Sequence, residues 1–108
     1  MTWTLKIKAT RPDTDTDFYT AKDSTQRLTD SDLAYVYTTY KETGKLVSGP
    51  DGTLSADELE LTKTYVFRDE ACKDEFQSDS KMSAWLNAAK TYNSANGIEY
   101  TTLQDEAT

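Results

Sequence analysis

Histidine is absent from this chain of 108 residues, which also contains a single cysteine, two prolines and four glycines. Without histidine the protein lacks the side chain that most often acts as a catalytic acid–base group and as a metal ligand. The single cysteine excludes an internal disulfide and favours a reducing compartment, so we expect a cytoplasmic protein. No apolar run approaches the roughly 20 residues of a membrane span, and the N-terminus has no apolar stretch typical of a signal peptide.

Basic residues are few as well. Lysine and arginine total 12 against 19 aspartates and glutamates, which gives a net charge of −7 and disfavours direct contact with nucleic-acid phosphates. Hydrophobic residues make up 36% of the chain and aromatic residues 11%, which is sufficient for one modest core without a metal or a cofactor. We expect a single domain over residues 1–103 and a disordered acidic tail over residues 104–108.

The N-terminal part of the sequence predicts a strand, a long loop and a helix. Residues 2–9 alternate between polar and apolar side chains, which is typical of a half-buried strand. A polar loop follows over residues 10–28, with an irregular strand near Phe18–Ala21. The helix begins near Thr29 and ends at Gly44. Its expected capping box, hydrophobic staple and apolar stripe involve Leu28, Thr29, Asp32, Leu33, Val36, Tyr37 and Tyr40.

The central part predicts a hairpin. A short strand over residues 45–48 leads into the turn residues Gly49-Pro50-Asp51-Gly52, and the return strand runs over residues 53–67. The alternation of that return strand changes phase near Asp57, so we expect a bulge or a break there.

The C-terminal part predicts two helices and a last strand. Asp69 is placed to cap a short helix that carries Cys72 and Phe76 on one face. A longer helix ends at Asn96-Gly97, and residues 98–103 form the final strand. The longer helix has Met82, Trp85, Leu86 and Ala89 at core spacing.

The order strand, helix, strand, strand, helix in two pieces, strand is typical of ferredoxin-like domains. We therefore predict an α+β fold of βαββαβ topology, in which a four-stranded antiparallel sheet is covered by helices on one face.

The second half of the chain resembles the dimeric ferredoxin-like family typified by antibiotic-biosynthesis monooxygenases. In that family a strand leads into a short helix and then into a longer helix that carries an aromatic residue. The residues of the resemblance are Thr62-Lys63-Thr64-Tyr65-Val66-Phe67, Arg68-Asp69-Glu70-Ala71, Glu75-Phe76-Gln77 and Ser83-Ala84-Trp85. The sequence is also similar to small proteins of tailed phages.

The family resemblance implies a homodimer formed through the sheets, often around a small hydrophobic pocket. Some members oxidise aromatic compounds without a metal or a flavin. This chain departs from those enzymes because it has no histidine and a long first loop, so no catalytic residue is carried over. The phage resemblance implies a component of a larger viral assembly.

Four aromatic residues are the candidate ligand site. Tyrosine and tryptophan combine a large apolar body with a polar group, which suits a pocket for a ring-shaped ligand. The alternative is ordinary core packing, with the hydroxyl groups reaching the surface. The candidate residues are Tyr37, Tyr40, Tyr65 and Trp85.

Calcium and cysteine chemistry are the weaker candidates. The acids at residues 13–17 have the spacing that opens a calcium loop, but the glycine and glutamate that should follow are missing. Residues 51–58 match the back half of an EF-hand, but the first ligand positions there are Val47 and Gly49. Cys72 has no histidine to act as its base, so a small buried apolar residue is the better interpretation.

The predicted open face of the sheet is polar, with threonines, lysines and glutamates and without the aromatic residues of an RNA-binding sheet. We expect lysine–glutamate pairs across its strands and, at most, a weak dimer. The leading hypothesis is therefore a non-enzymatic protein that binds another protein, including a second copy of itself. The alternatives are a small-ligand binder or cofactor-independent monooxygenase-like enzyme, and an acidic mimic of nucleic acid.

Overall fold

The computed structural model describes residues 1–18 and 31–108, without the side chains of residues 31–36, 81, 84 and 85. Its elements in chain order are β1 (Trp3–Thr10), α1 (Ser31–Glu42), β2 (Leu46–Leu54), β3 (Glu60–Phe67), α2 (Glu70–Ser78), α3 (Ser80–Ala95) and β4 (Glu99–Ala107). The predicted irregular strand near Phe18–Ala21 falls largely outside the described residues. The same holds for the capping box of Thr29 and Asp32 and the staple of Leu28 on Leu33.

The four described strands form one antiparallel sheet in the order β2-β3-β1-β4. Alternate residues of β1 and β3 enter one core with residues of all three helices, so the helices cover a single face. This is the predicted ferredoxin-like arrangement, with the second helix in two pieces. The buried core residues are Leu5, Tyr40, Leu46, Tyr65, Phe67, Cys72, Phe76 and Met82.

The hairpin between β2 and β3 differs from the prediction. β2 continues through Gly49-Pro50-Asp51-Gly52 as far as Leu54, so the predicted turn at those residues is wrong. The pairing with β3 shifts on both sides of Ser48, which lets the strand absorb the proline without reversing. The chain reverses after Leu54 instead, where Asp57 Oδ1 accepts hydrogen bonds from Ser55 Oγ at 2.6 Å and Leu59 N at 3.0 Å. The predicted break near Asp57 is therefore confirmed, and it is the turn itself.

The helix ends follow the capping signals of the sequence. Asp69 is the N-cap of α2, and its carboxylate accepts a hydrogen bond from Cys72 N at 2.9 Å. That contact lowers the pKa of Asp69 because it stabilises the ionised carboxylate. Gly44 and Gly97 follow α1 and α3 in the left-handed conformation, with φ of 75° and 68°.

The C-terminal residues belong to the sheet. Residues 104–107 pair with β1, and Thr108 N donates to Thr2 O at 2.9 Å, so the predicted disordered tail at 104–108 is wrong. Backbone pairing with β1 outweighs the acidic character and terminal position on which that prediction rests. The register shift between Lys6 and Ile7 leaves Leu103 as an extra residue in β4.

The start of the long predicted loop is anchored to the domain. Arg11 donates from its guanidinium to Glu58 O at 2.7 Å and Thr16 O at 3.1 Å. The same guanidinium lies 4.6 Å from the ring centre of Phe18, which is buried. Tyr92 of α3 donates its hydroxyl hydrogen to Asp17 O at 2.7 Å. Residues 11–18 are thus packed against the turn and α3.

Candidate functional site

Three of the four predicted aromatic residues lie together around Phe76 of α2. The ring centres of Tyr37, Tyr40 and Tyr65 are 5.8, 5.2 and 5.9 Å from that of Phe76. α1 brings the first two tyrosines and β3 the third, and these distances are those of favourable aromatic pairs. The side chain of Trp85 lies outside the described residues, so the ligand pocket of these four residues stays a prediction.

Tyr40 is closely surrounded in this cluster. Only 5% of the residue is exposed, and burial, aided by the charge of Glu75, raises the pKa of its hydroxyl to about 12. Lys45 Nζ lies 2.9 Å from Glu75 Oε1 and 5.7 Å from the ring centre of Tyr40. The hydroxyl is therefore a neutral hydrogen-bond donor at physiological pH.

A groove lies between α3 and β4. Its volume is about 460 Å³, which falls within the range of ligand and peptide sites. α3 contributes Leu86 and Ala89 to its lining, and Ile98, just before β4, and Tyr100 of β4 contribute the other apolar residues. Lys90, Asn93 and Ser94 form the polar part of the lining. A lining that combines apolar residues with a few polar ones suits one large apolar group with a hydrogen-bonding neighbour.

Tyr100 lines this groove, and the pKa of its hydroxyl is raised. Although 52% of the residue is exposed, burial raises the pKa of its hydroxyl to about 12, with a further contribution from Tyr37. Tyr100 forms part of the lining of the groove.

A charged cluster holds the far end of β4. Trp3 Nε1 donates to Asp105 Oδ1 at 2.6 Å, and Lys73 Nζ lies 3.3 Å from the same oxygen and 3.0 Å from Asp74 Oδ1. The indole ring of Trp3 lies 5.6 Å from the ammonium group. Lys73 is 7% exposed, so this cluster joins α2, β1 and β4 in the folded domain and has the character of a structural contact.

The open face of the sheet is polar, as predicted. Lys8 Nζ lies 2.7 Å from Glu60 Oε2 on β3, which confirms a lysine–glutamate pair across strands. On β4 this face carries Glu99 and Glu106, which are paired in register with Thr10 and Thr4 of β1. Outward charge on the β4 side is therefore negative.

The residues considered for calcium binding and for cysteine chemistry have structural roles. Asp13 Oδ1 accepts hydrogen bonds from Thr16 N and Thr16 Oγ1 at 2.9 and 2.8 Å, so this carboxylate shapes its own loop. The residues after the EF-hand-like segment form β3, where an EF-hand requires a helix. Cys72 is 2% exposed, and burial raises the pKa of its thiol, which confirms it as a buried apolar residue.

Within the described part of the chain, no group of three or more acidic or cysteine residues is arranged to hold a metal ion. Two of the acids available for nucleic-acid mimicry are partly neutralised, because Lys73 contacts Asp74 and Lys45 contacts Glu75. None of the described helices has both the length and the apolar character needed to cross a membrane.

Sequence reasoning missed the groove. It placed Leu86 and Ala89 on the core side of α3 but treated Ile98 and Tyr100 only as members of a final strand. The available signal was that Ile98 and Tyr100 are two residues apart, and therefore share one face of an extended chain. That face packs beside α3 only if β4 is the neighbour of β1, which the βαββαβ topology implies.

Three solved structures are similar to the chain over nearly its whole length. Rv0793 of Mycobacterium tuberculosis is 23% identical, with a TM-score of 0.49, over 98% of this chain and 99% of that chain. SO0527 of Shewanella oneidensis is 12% identical, with a TM-score of 0.44, over 97% and 93% of the two chains. A protein of Bacteriodes thetaiotaomicron, named as a candidate antibiotic biosynthesis monooxygenase, is 11% identical, with a TM-score of 0.42, over 98% and 88%.

No protein-family model and no curated protein sequence matches the chain. The structural neighbours include the kind of protein that the sequence resembles, and no residue's role is carried over from them.

Proposed function

We propose that the protein is a small binding protein that works through contact with another protein chain at the β4 edge of its sheet. The observation that carries this proposal is the exposure of β4, where every residue except Gln104 is exposed. Tyr100 and Leu103 are 52% and 48% exposed although both are large and apolar. An exposed edge strand with apolar side chains is a surface that pairs readily with another chain.

The opposite edge of the sheet supports this choice by contrast. β2 carries Pro50, which has no backbone N–H to offer a partner strand, and its pairing with β3 shifts twice. These are the features by which natural sheets prevent pairing at an edge. β4 has no proline, and its pairing with β1 shifts only once, at Leu103.

The test compares affinity capture by three forms of the protein from extracts of the cells that express it. The wild type and a Val47→Glu variant on β2 should retain the same partner, and a Leu103→Glu variant on β4 should lose it. Both substitutions place a carboxylate at an exposed apolar position, so a difference in capture shows which edge strand, β2 or β4, binds the partner. Equal capture by the two variants would contradict the proposal.

A second copy of the chain is one partner to consider, as the resemblance implies. The open face is polar, so a dimer formed through it would be weak and dependent on salt. Sedimentation velocity over a wide concentration range measures this directly, and a strict monomer throughout removes the homodimer.

Small-ligand binding is the second candidate function, and the packing of Tyr37, Tyr40 and Tyr65 around Phe76 favours it. A planar aromatic ligand near Tyr37, Tyr40, Tyr65 and Trp85 would find aromatic walls and neutral hydroxyl donors, with or without monooxygenase-like chemistry. Binding of phenols or quinones would raise the melting temperature and change tryptophan fluorescence. A panel of such compounds that changes neither quantity counts against this function.

A further inference from the structure

The edge of β4 and the groove lie side by side. Tyr100 belongs to both, because its backbone is part of the edge strand and its ring lines the groove against α3. A fifth strand added at this edge would lie about 4.8 Å beyond β4. Side chains on its helix-facing side would then lie beside Tyr100 and meet the apolar lining of Leu86 and Ala89.

The two faces of such a strand meet different chemistry. Successive side chains of a strand point to opposite faces, so every second residue would face the groove and the others the open face of the sheet. The open face of β4 carries Glu99 and Glu106. The groove takes an apolar group, and the open face takes positive charge.

From this geometry we propose that the partner is an extended basic peptide segment. It adds a fifth strand to β4, places one large apolar side chain in the groove, and carries lysine or arginine at the neighbouring positions. This inference rests on the proposed function, which it deepens by naming the chemistry of the partner. Backbone pairing along the edge supplies affinity, and the groove and the glutamates supply specificity.

Charge decides between this partner and a second copy. β4 has three acids, Glu99, Asp105 and Glu106, and no basic residue. Asp105 is already contacted by Lys73, so two β4 strands paired edge to edge would bring the four carboxylates of Glu99 and Glu106 together, whereas a basic segment neutralises them. The net charge of −7 favours the basic segment further.

The experiment selects peptides from a display library of random nonapeptides on the immobilised full chain. The expected sequences have a large apolar residue flanked by lysine or arginine, and a synthetic copy should bind in fluorescence polarisation. Its binding should weaken as salt is raised, and N-methylation of its central residues should abolish it because a strand partner needs its backbone N–H groups. Failure to enrich any sequence, or enrichment of acidic sequences, would overturn the proposal.

Two pairs of variants then locate the peptide. Tyr100→Ala should weaken binding by about tenfold through loss of the groove wall, whereas Val47→Ala on β2 should not. The double variant Glu99→Gln and Glu106→Gln should weaken binding and reduce its salt dependence, whereas Glu70→Gln on α2 should change neither. Amide chemical shifts over residues 86–107 provide a measurement that needs no variant, and changes confined to other residues contradict the proposal.

The two proposals fail in different ways. If Leu103→Glu leaves partner capture unchanged, β4 is not the binding edge and both proposals fail. If Leu103→Glu abolishes capture but Tyr100→Ala and the glutamate variants leave peptide binding intact, the edge is correct and the basic, groove-anchored segment is wrong.

Discussion

At the scale of single residues, Asp105 holds more of the fold than its exposed position suggests. Its carboxylate accepts the indole hydrogen of Trp3 and contacts the ammonium group of Lys73. Burial by itself lowers the pKa of Lys73, but the carboxylates of Asp74 and Asp105 outweigh burial, and the net pKa is raised. The lysine therefore stays charged in a nearly buried position because two acids face it.

Asp105→Ala should lower the free energy of unfolding by about 1–3 kcal/mol, because it leaves the indole N–H without its acceptor and Lys73 with one carboxylate. Urea unfolding followed by tryptophan fluorescence measures the change. Glu106→Ala is the matched control, since it removes a neighbouring carboxylate that faces the open side of the sheet. Equal losses in the two variants would show that strand charge, and not this cluster, is responsible.

Two tyrosines should ionise late. The pKa values of Tyr40 and Tyr100 are raised from 10.0 to about 12 by burial, so their protonated forms stabilise the fold. That stability is fully present below pH 10, the unfolded value, and is lost as the pH rises from about 10 to about 12. In an ultraviolet titration of tyrosinate, Tyr100→Phe should remove part of the late phase. A titration that is complete near pH 10 contradicts the burial of these hydroxyl groups.

At the scale of elements, local patterns predicted most of the secondary structure, and pairing between strands decided the rest. The alternation of polar and apolar residues predicted β1. Asp69 predicted the start of α2, and Gly44 and Gly97 predicted the ends of α1 and α3, since each of these signals acts within a few residues. The residues Gly49 to Gly52 have strong turn chemistry, but pairing with β3 on both sides keeps them within one strand. The groove and the last residues of β4 likewise depend on long-range neighbours that no local signal reports.

Gly49 marks the closest approach in that strand. Its φ is 95°, and an added Cβ would overlap the backbone oxygen of Thr64. Gly49→Ala should therefore lower the free energy of unfolding by about 1–3 kcal/mol, through backbone strain and displacement of β3. Gly52→Ala is the control, because a Cβ there meets only Leu61 Cδ1, at 3.9 Å. Equal stability of the two variants in chemical denaturation would mean that β2 is not held against β3 at Gly49.

At the scale of the whole molecule, acidity is the dominant feature. The net charge of −7 is spread over one small domain, so like charges repel one another in the folded state. In most ion pairs among the described residues, at least one of the two side chains is exposed, so each pair contributes little to the free energy of folding. Repulsion should therefore outweigh attraction, and salt should screen the larger effect.

The melting temperature should rise when salt is increased from about 10 mM to about 0.5 M, because the Debye length falls below the spacing of most surface charges. Asp15 is exposed in the loop after β1, so Asp15→Asn and Asp15→Lys change the net charge from −7 to −6 and −5 with little effect on packing. The rise in melting temperature with salt should become smaller from the wild type to Asp15→Asn to Asp15→Lys. Differential scanning calorimetry at each salt concentration measures it. A melting temperature that falls with salt means that the ion pairs outweigh repulsion, and a basic peptide would then gain less from the charge of β4 than we infer.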